Sequence, residues 1–171
     1  NEHSKKFLKQ LSIDGTRNTL IVDKLRELAE KGKKILYFST SLSQSVLVFA
    51  ALQKLGVKAV HVDGDTDKSF RRQIIKKFRD TNEINIICNF DIFATGFDVP
   101  KIDVIFIARP VNSPVLFNQM IGRGTRGPKV GGTKTFTLIQ IIDKLKSSRF
   151  VGYDPYEQWG FWDENWEKED E

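Results

Sequence analysis

Residues 34–62 read KILYFSTSLSQSVLVFAALQKLGVKAVHV, and this stretch decides the fold class. The apolar run at 35–38 predicts a buried strand, and the polar residues 39–41 predict a turn after it. A helix is expected next, ended by Gly56, and residues 59–62 predict a second strand. The inward residues of that helix are expected to be Val46, Phe49, Ala50 and Leu52. A strand, a helix and a strand in this order indicate a crossover between parallel strands.

The alternation of helix and strand continues on both sides of this stretch. Upstream, Ile21, Leu25 and Leu28 lie on one helical face, and Gly32 ends that helix. Downstream, the loop at 63–67 can cap another helix. The buried stripe of this second helix is expected to contain Phe70, Ile74, Ile75 and Phe78.

Three more strands are predicted at residues 84–88, 104–108 and 135–142, and Ser113-Pro114 is typical of a helix start. The strands are almost continuously apolar, as in sheets that are buried on both faces. The sequence therefore predicts an α/β domain with a central, mainly parallel sheet and helices on both faces. Ligands of such folds bind at loops that leave the carboxyl ends of the strands.

Composition limits the classes of protein to which the chain can belong. Its 171 residues, 40% of them hydrophobic, fit one globular domain, and no apolar run reaches the about 20 residues that span a bilayer. We therefore expect no membrane partner. A single cysteine, Cys88, excludes an internal disulfide and suits a reducing compartment, so we expect a cytoplasmic protein. One cysteine and two histidines cannot form an ordinary zinc site, so no metal site is expected. Cys88 and His61 are expected to be structural.

Charge is distributed unevenly along the chain. The 27 basic and 22 acidic residues give +5 overall. Residues 154–171 contain eight acids and one lysine, which is −7, so the other 153 residues carry +12. A basic body attracts polyanions, and an acidic end repels them. Trp159, Trp162 and Trp166 lie in this acidic end, and we expect them to pack against this domain or a neighbouring one rather than to stack on bases.

Residues 119–127, QMIGRGTRG, form the strongest functional motif. Gln119, Arg123 and Arg126 are spaced i, i+4 and i+7, so a helix would place them on one face. Two guanidiniums and an amide suit phosphate oxygens. Glycine costs about 1 kcal/mol relative to alanine within a helix, so Gly122 and Gly124 indicate a need for bare backbone. The alternative explanation is a pair of solvated arginines on a surface helix.

Two other segments carry residues that suit a nucleotide or a nucleic acid. Residues 89–100 read NFDIFATGFDVP, in which Gly96 permits close backbone approach and Asp98 can accept hydrogen bonds from hydroxyls such as those of a ribose. The turn at 39–41 offers hydroxyls and helix-start amides that can hold a phosphate. Turn formation and helix capping explain each of these residues equally well when it is taken singly.

In this order, the three segments resemble the second RecA-like domain of superfamily 2 helicases and translocases. Residues 35–43 resemble helicase motif IV, residues 94–100 resemble motif V, and Gln119-x-x-Gly122-Arg123-x-x-Arg126 resembles motif VI. The resemblance covers roughly residues 15–142. The glycine-rich run 124–132 is most similar to DNA-directed members of the DEAD/DEAH type, which are related to repair helicases and to restriction-enzyme translocase subunits.

The resemblance implies a role for each matching residue. Arg126 and Arg123 would be arginine fingers that reach ATP bound on a partner domain, and Gln119 would help to orient the γ-phosphate. The residues that face the nucleotide would be Gly96, Asp98 and Gly122, with Asp98 near the ribose. The residues along the nucleic-acid strand would be Ser39, Thr40 and Thr95.

The sequence lacks the phosphate loop and the acidic magnesium segment of a complete motor. The resemblance therefore implies that residues 15–150 are a three-layer RecA-like domain, the C-terminal half of an ATP-dependent helicase or translocase. Residues 1–14 would connect it to an N-terminal RecA-like domain that holds ATP and Mg²⁺, and residues 151–171 would be an acidic, Trp-rich extension. The complete protein would hydrolyse ATP and bind nucleic acid, DNA rather than RNA, whereas this chain alone would be inactive.

Three other functions fit parts of the pattern. One is a translocase subunit of a restriction system, in which strands need not be separated. Another is a nucleic-acid-binding module without catalysis, against which the two motif arginines argue. The third is a flavodoxin-like or other small-ligand α/β domain, which would bind a mononucleotide tightly by itself.

Overall fold

The structure, a computed structural model, describes residues 5–90, 99, 101–111, 113–122 and 135–143. The helices of this part of the chain are α1 (Lys5–Ile13), α2 (Gly15–Glu30), α3 (Leu42–Lys54), α4 (Lys68–Asp80) and α5 (Pro114–Ile121). The strands are β1 (Ile35–Phe38), β2 (Ala59–Val62), β3 (Ile86–Asn89), β4 (Val104–Ile107) and β5 (Thr137–Gln140). Among these helices, none is both long and apolar enough to cross a membrane.

The strands form one sheet in the order β2-β3-β1-β4-β5, and every neighbouring pair is parallel. In the middle of the sheet, Leu36 of β1 is in register with Ile87 of β3 and with Ile105 of β4. The predicted parallel sheet is therefore confirmed. Because all the strands run the same way, the loops that follow them meet at one edge of the sheet.

Two apolar layers cover the two faces of the sheet, which confirms the three-layer arrangement. On one face, Ile74 and Phe78 of α4 and Phe117 of α5 pack against strand residues that include Ile87 and Ile105. The residues that fill the other face, beneath α2 and α3, include Ile21, Leu25, Tyr37, Val48, Leu52 and Phe106.

The predicted helix boundaries are confirmed by their caps. The Ser113 hydroxyl accepts from the Leu116 amide at 3.4 Å, with Pro114 in the first turn. Gly32 and Gly56, which follow α2 and α3, have φ angles of +72° and +75°, the left-handed conformation that ends many helices. Asp67 caps α4 by accepting from the Ser69 and Phe70 amides.

Two of the predicted packing faces need correction. Val46 is 45% exposed and Ala50 is exposed, so the inward face of α3 is formed by Val48 and Leu52, with the polar Gln44 and Ser45 buried beside them. Phe70 was expected within the stripe of α4 but is 50% exposed, because it lies in the first turn, one turn before the packed residues of that helix.

Candidate functional site

The predicted motif IV turn lies at the carboxyl edge of the sheet, but its hydroxyls are buried. Ser39 and Thr40 are each 2% exposed. The Ser39 hydroxyl donates to the carbonyl oxygens of Asn89 and Ser41, both at 3.0 Å. The Thr40 hydroxyl donates to the Ala108 carbonyl at 3.2 Å. The two hydroxyls therefore hold the ends of β3 and β4 to β1 and do not face solvent.

A largely buried ion pair holds the same edge from the side of α2. The Arg17 guanidinium binds the Asp143 carboxylate through two bonds, Nε–Oδ1 at 2.7 Å and Nη2–Oδ2 at 2.9 Å. Arg17 also donates to the Ala108 carbonyl and, at 3.3 Å, to the Thr40 hydroxyl. It therefore ties α2 to the chain that follows β1, β4 and β5. The sequence gives no signal for this pair, because its members are 126 positions apart.

A chain of side-chain amides fixes the backbone of the turn. The Gln44 side-chain oxygen accepts from the Thr40 amide at 2.7 Å, and its nitrogen donates to the Asn18 side-chain oxygen at 2.8 Å. Asn18 in turn donates to the Ser12 carbonyl at 2.9 Å. Gln44 is fully buried, and hydrogen bonds satisfy both ends of its amide. Hydrophobic periodicity places polar side chains at the surface, so this network could not be found from the sequence.

His61 has the structural role that its position in a strand predicts. Its Nδ1 lies 3.0 Å from the Ser45 hydroxyl, and its Nε2 lies 3.2 Å from Asp63 Oδ2. A serine, a histidine and a carboxylate joined in a row by hydrogen bonds are also the arrangement found in catalytic triads. Ser45 is fully buried within α3, however, so no substrate can reach its hydroxyl. The three residues hold α3, β2 and the following turn together.

The turn after β2 is built on the Asp63 carboxylate. Asp63 Oδ1 accepts from the amide of Thr66 at 2.9 Å and from its hydroxyl at 2.8 Å. Burial alone would raise the pKa of Asp63, but hydrogen bonds from Thr66 and His61 outweigh it and hold that pKa below its ordinary value. Arg71 of α4 closes the turn by donating to the carbonyls of Asp63 at 3.1 Å and Gly64 at 2.6 Å.

The first residues of the predicted motif VI lie at the end of α5. Gln119 is exposed, and the helix ends at Ile121 with Gly122 as its cap. The Gly122 amide donates to the Asn118 carbonyl oxygen at 2.8 Å. A Cβ atom on Gly122 would lie only 3.0 Å from that oxygen, which agrees with the predicted need for bare backbone.

The other predicted site residues lie outside the described part of the chain: Arg123, Arg126, Thr95, Gly96 and Asp98. The shared helical face of Gln119, Arg123 and Arg126 therefore stays a prediction. Within the described ranges, no group of three or more histidine, cysteine, aspartate or glutamate residues could hold a metal ion.

Curated proteins with similar sequences are much longer than this chain, and several of them are named as ATP-dependent helicases. A 51.5 kDa protein of a Lactococcus phage is 35% identical over 115 residues, 66% of this chain and 25% of the relative. The ATP-dependent rRNA helicase RRP3 of Candida albicans is 28% identical over 76% of this chain and 23% of its own length. The Type I restriction enzyme EcoKI endonuclease subunit of Escherichia coli is 37% identical over 52% of this chain and 8% of its own length. The chain therefore spans a quarter or less of these relatives.

Solved structures share the fold. T4 UvsW superposes with a TM-score of 0.69 at 22% identity, over 94% of this chain and 35% of that one. The C-terminal part of the Fun30 ATPase domain superposes with a TM-score of 0.60 at 24% identity, over 73% of this chain and 40% of that one. Residues 18–127, which include the predicted motifs IV, V and VI, match the family model of the helicase conserved C-terminal domain, so the chain belongs to that family.

Proposed function

We propose that this chain is the C-terminal motor domain of an ATP-dependent helicase or translocase that acts on nucleic acid, DNA rather than RNA. The observation that carries the proposal is the family match over residues 18–127, because it extends one residue beyond Arg126 and so contains the whole of the predicted motif VI. Relatives whose names include ATP-dependent helicase support the use of ATP. The relatives include both an rRNA helicase and a restriction enzyme endonuclease subunit, so the preference for DNA depends on the run at 124–132.

In this proposal, ATP lies between this domain and an N-terminal RecA-like domain that holds its Mg²⁺. This chain would contribute cationic and amide donors from Arg126, Arg123 and Gln119, and the exposed position of Gln119 at the end of α5 suits that role. Guanidiniums stabilise the charge that develops on a transferred phosphoryl group, an effect worth about 10³–10⁵ in rate in other NTPases. Gly96, Asp98 and Gly122 would face the nucleotide, with the Asp98 carboxylate near the ribose.

The nucleic acid would lie along the carboxyl edge of the sheet, near Thr95 and the turn at Ser39 and Thr40. Because the two turn hydroxyls are bonded internally, these residues would act by fixing the backbone rather than through their hydroxyl groups. Leu42 and Ser43, which begin α3, are the exposed residues beside the turn. Repeated closing and opening of the two domains would then step the motor along a strand.

Calorimetric titration of this chain with ATP and with FMN tests whether the ATP site is shared between two domains, as proposed. Because the phosphate loop belongs to the other domain, we expect no binding of either nucleotide tighter than about 1 mM, a free energy near −4 kcal/mol. Submicromolar binding of either nucleotide would contradict the proposal and favour a small-ligand domain.

A translocase subunit of a restriction system is the second candidate, because the chain is 37% identical to the EcoKI endonuclease subunit over 93 residues. A strand-displacement assay on the complete protein distinguishes the two functions. Separation of a labelled duplex supports a helicase, whereas ATP-driven movement without separation, together with a nuclease domain, supports a restriction subunit. A cytoplasmic location and boundaries after residues 14 and 150 also remain predictions, and limited proteolysis of the complete protein tests the boundaries.

A further inference from the structure

Helix α4 carries the most unbalanced charge of the described helices. Its thirteen residues include six bases and one acid, Asp80. Helix α2 has three bases and three acids in sixteen residues. Two of the α4 bases are neutralised by neighbours, since Lys77 pairs with Glu83 and Arg79 with Asp80. Arg71 is bonded to the turn after β2.

The other three bases, Lys68, Arg72 and Lys76, form an exposed row. They are four residues apart, so each is rotated about 40° from the one before, and the row spans about 12 Å along the helix. All three side chains are exposed, and within the described residues none of them has an ion-pair partner. We call these three residues the basic row. It faces away from Ile74 and Phe78, which pack on the sheet.

The chain contains a segment of opposite charge with the same spacing. Residues 154–171 carry −7, and Asp163, Glu167 and Glu171 lie at i, i+4 and i+8. We propose that the acidic segment 154–171 docks on the basic row of α4, with these three carboxylates facing Lys68, Arg72 and Lys76. The proposal is independent of the function proposed above.

The connecting chain is long enough for this contact. The described chain ends at Asp143, beyond β5, and ten residues, 144–153, precede the acidic segment. Ten extended residues reach about 33 Å. Helix α4 packs against Val62 of β2 and Ile87 of β3, which are four and three strands from β5. At about 4.8 Å between strands, that separation is about 14–19 Å. A connecting chain of this length keeps the acidic segment at an effective concentration on the order of millimolar near the basic row.

Exposed ion pairs are screened by salt, with a Debye length of about 10 Å at 0.1 M. The contact should therefore form at low ionic strength and be lost near 1 M salt. While it persists, the acidic segment would keep other polyanions, nucleic acid included, away from the basic row.

Zero-length carbodiimide cross-linking of the full chain, followed by mass spectrometry, tests the contact. At low salt, we expect amide links that join Lys68 or Lys76 to Asp163, Glu167 or Glu171, and their loss at about 1 M NaCl. The three exposed lysines of α1, which lie on another helix, are the internal control: Lys5, Lys6 and Lys9. Equal linking to α1 and α4, or no linking to α4, would overturn the proposal.

Tryptophan emission gives a second measurement, because all three tryptophans of the chain lie in the acidic segment. The α4 reversal Lys68→Glu/Arg72→Glu/Lys76→Glu should shift the emission. The α1 reversal, which makes the same change in net charge, should not. Its substitutions are Lys5→Glu, Lys6→Glu and Lys9→Glu.

Two sets of three neutralising substitutions in the acidic segment test whether the spacing of the carboxylates matters or only their number. Asp163→Asn/Glu167→Gln/Glu171→Gln should reproduce the shift in emission, whereas Glu157→Gln/Glu164→Gln/Glu169→Gln should have a smaller effect. Suppose instead that the α4 reversal leaves the emission unchanged but weakens binding of a single-stranded oligonucleotide. The basic row would then bind nucleic acid, and the docking proposal would be wrong.

Discussion

Helices α2 and α4 lie on opposite faces of one sheet and use their charges differently. In α2, Lys24 pairs with Glu27 and Arg26 with Glu30, and Arg17 is turned inward onto Asp143. In α4, the buried contacts are made by the apolar residues Ile74 and Phe78, and the basic row faces solvent without an ion-pair partner among the described residues. The inward charge of α2 thus holds the domain together, whereas the basic row of α4 is available to another partner.

The largest effect is expected at the inward charge of α2. Arg17→Ala would leave the carboxylate of Asp143, 16% exposed, without its guanidinium, and would remove a bond to Thr40. Removing one member of a fully buried pair costs about 3–5 kcal/mol. Because water reaches part of the Asp143 carboxylate, the free energy of unfolding in urea denaturation should fall by an amount near the lower end of that range. Arg26→Ala, at an exposed pair of the same helix, should change it far less. A loss below about 1 kcal/mol for Arg17→Ala would show that the pair does not hold α2 to the sheet.

A smaller loss is expected at the apolar anchor of α4. Ile74 is 3% exposed, and Ile74→Val removes one methylene from the core. We expect a decrease of about 0.5–1.5 kcal/mol in the free energy of unfolding, measured in the same way. Because only packing is lost, the decrease should not depend on salt. A strong dependence on salt would mean that charge as well as packing fastens α4.

Glu27 of α2 and Asp67, the cap of α4, both have lowered pKa values, but the causes differ. Hydrogen bonds from the ammonium groups of Lys24 and Lys31 lower the pKa of Glu27 to about 2. Hydrogen bonds from the Ser69 side chain and the Phe70 amide hold the pKa of Asp67 below its ordinary value. Both groups favour the folded state as carboxylates, so the stability they add is present above the ordinary pKa and is lost as pH falls through the lower one.

Salt separates the two causes of these low pKa values. Carbon-detected NMR titration should show the pKa of Glu27 rising with added salt, because its partners are charged and exposed. The pKa of Asp67 should change less, because its donors are neutral. Equal responses to salt would contradict this distinction.

The smallest effect on stability is expected at the basic row. Arg72→Ala and Lys76→Ala, at exposed positions without ion-pair partners among the described residues, should each change the free energy of unfolding by less than about 0.5 kcal/mol. Larger losses would show that these side chains stabilise the domain itself and are not free to bind a partner.

Much of the fold could be predicted from the sequence because local signals and burial agree. Largely apolar segments that alternate with helices predict five parallel strands, and the central strands β1, β3 and β4 are fully buried. Ser113-Pro114 and Gly56 predict helix ends that the structure confirms. The prediction of the inward face of α3 is partly wrong, because Gln44 and Ser45 are buried and form hydrogen bonds that a hydrophobic pattern cannot indicate.

The candidate site was less predictable, because its parts come from distant segments. Arg17 and Asp143 meet only after the sheet has formed, and no spacing in the sequence connects them. The same folding turns the Ser39 and Thr40 hydroxyls into the interior, where they bond to carbonyls of neighbouring strands. Gly122 was recognised from its place in a motif, and its close contact with the Asn118 carbonyl gives that choice a physical reason.

The most direct test of the proposed motor function is the ATP hydrolysis rate of the full-length protein that contains this chain, measured with nucleic acid present. Arg126→Ala should lower that rate by about 10³-fold or more, because the transferred phosphoryl group loses its guanidinium. Arg149→Ala, a matched change outside motif VI, should leave the rate as it is. An unchanged rate in a correctly folded Arg126→Ala protein would contradict the proposal that this domain contributes an arginine to the ATP site of a motor.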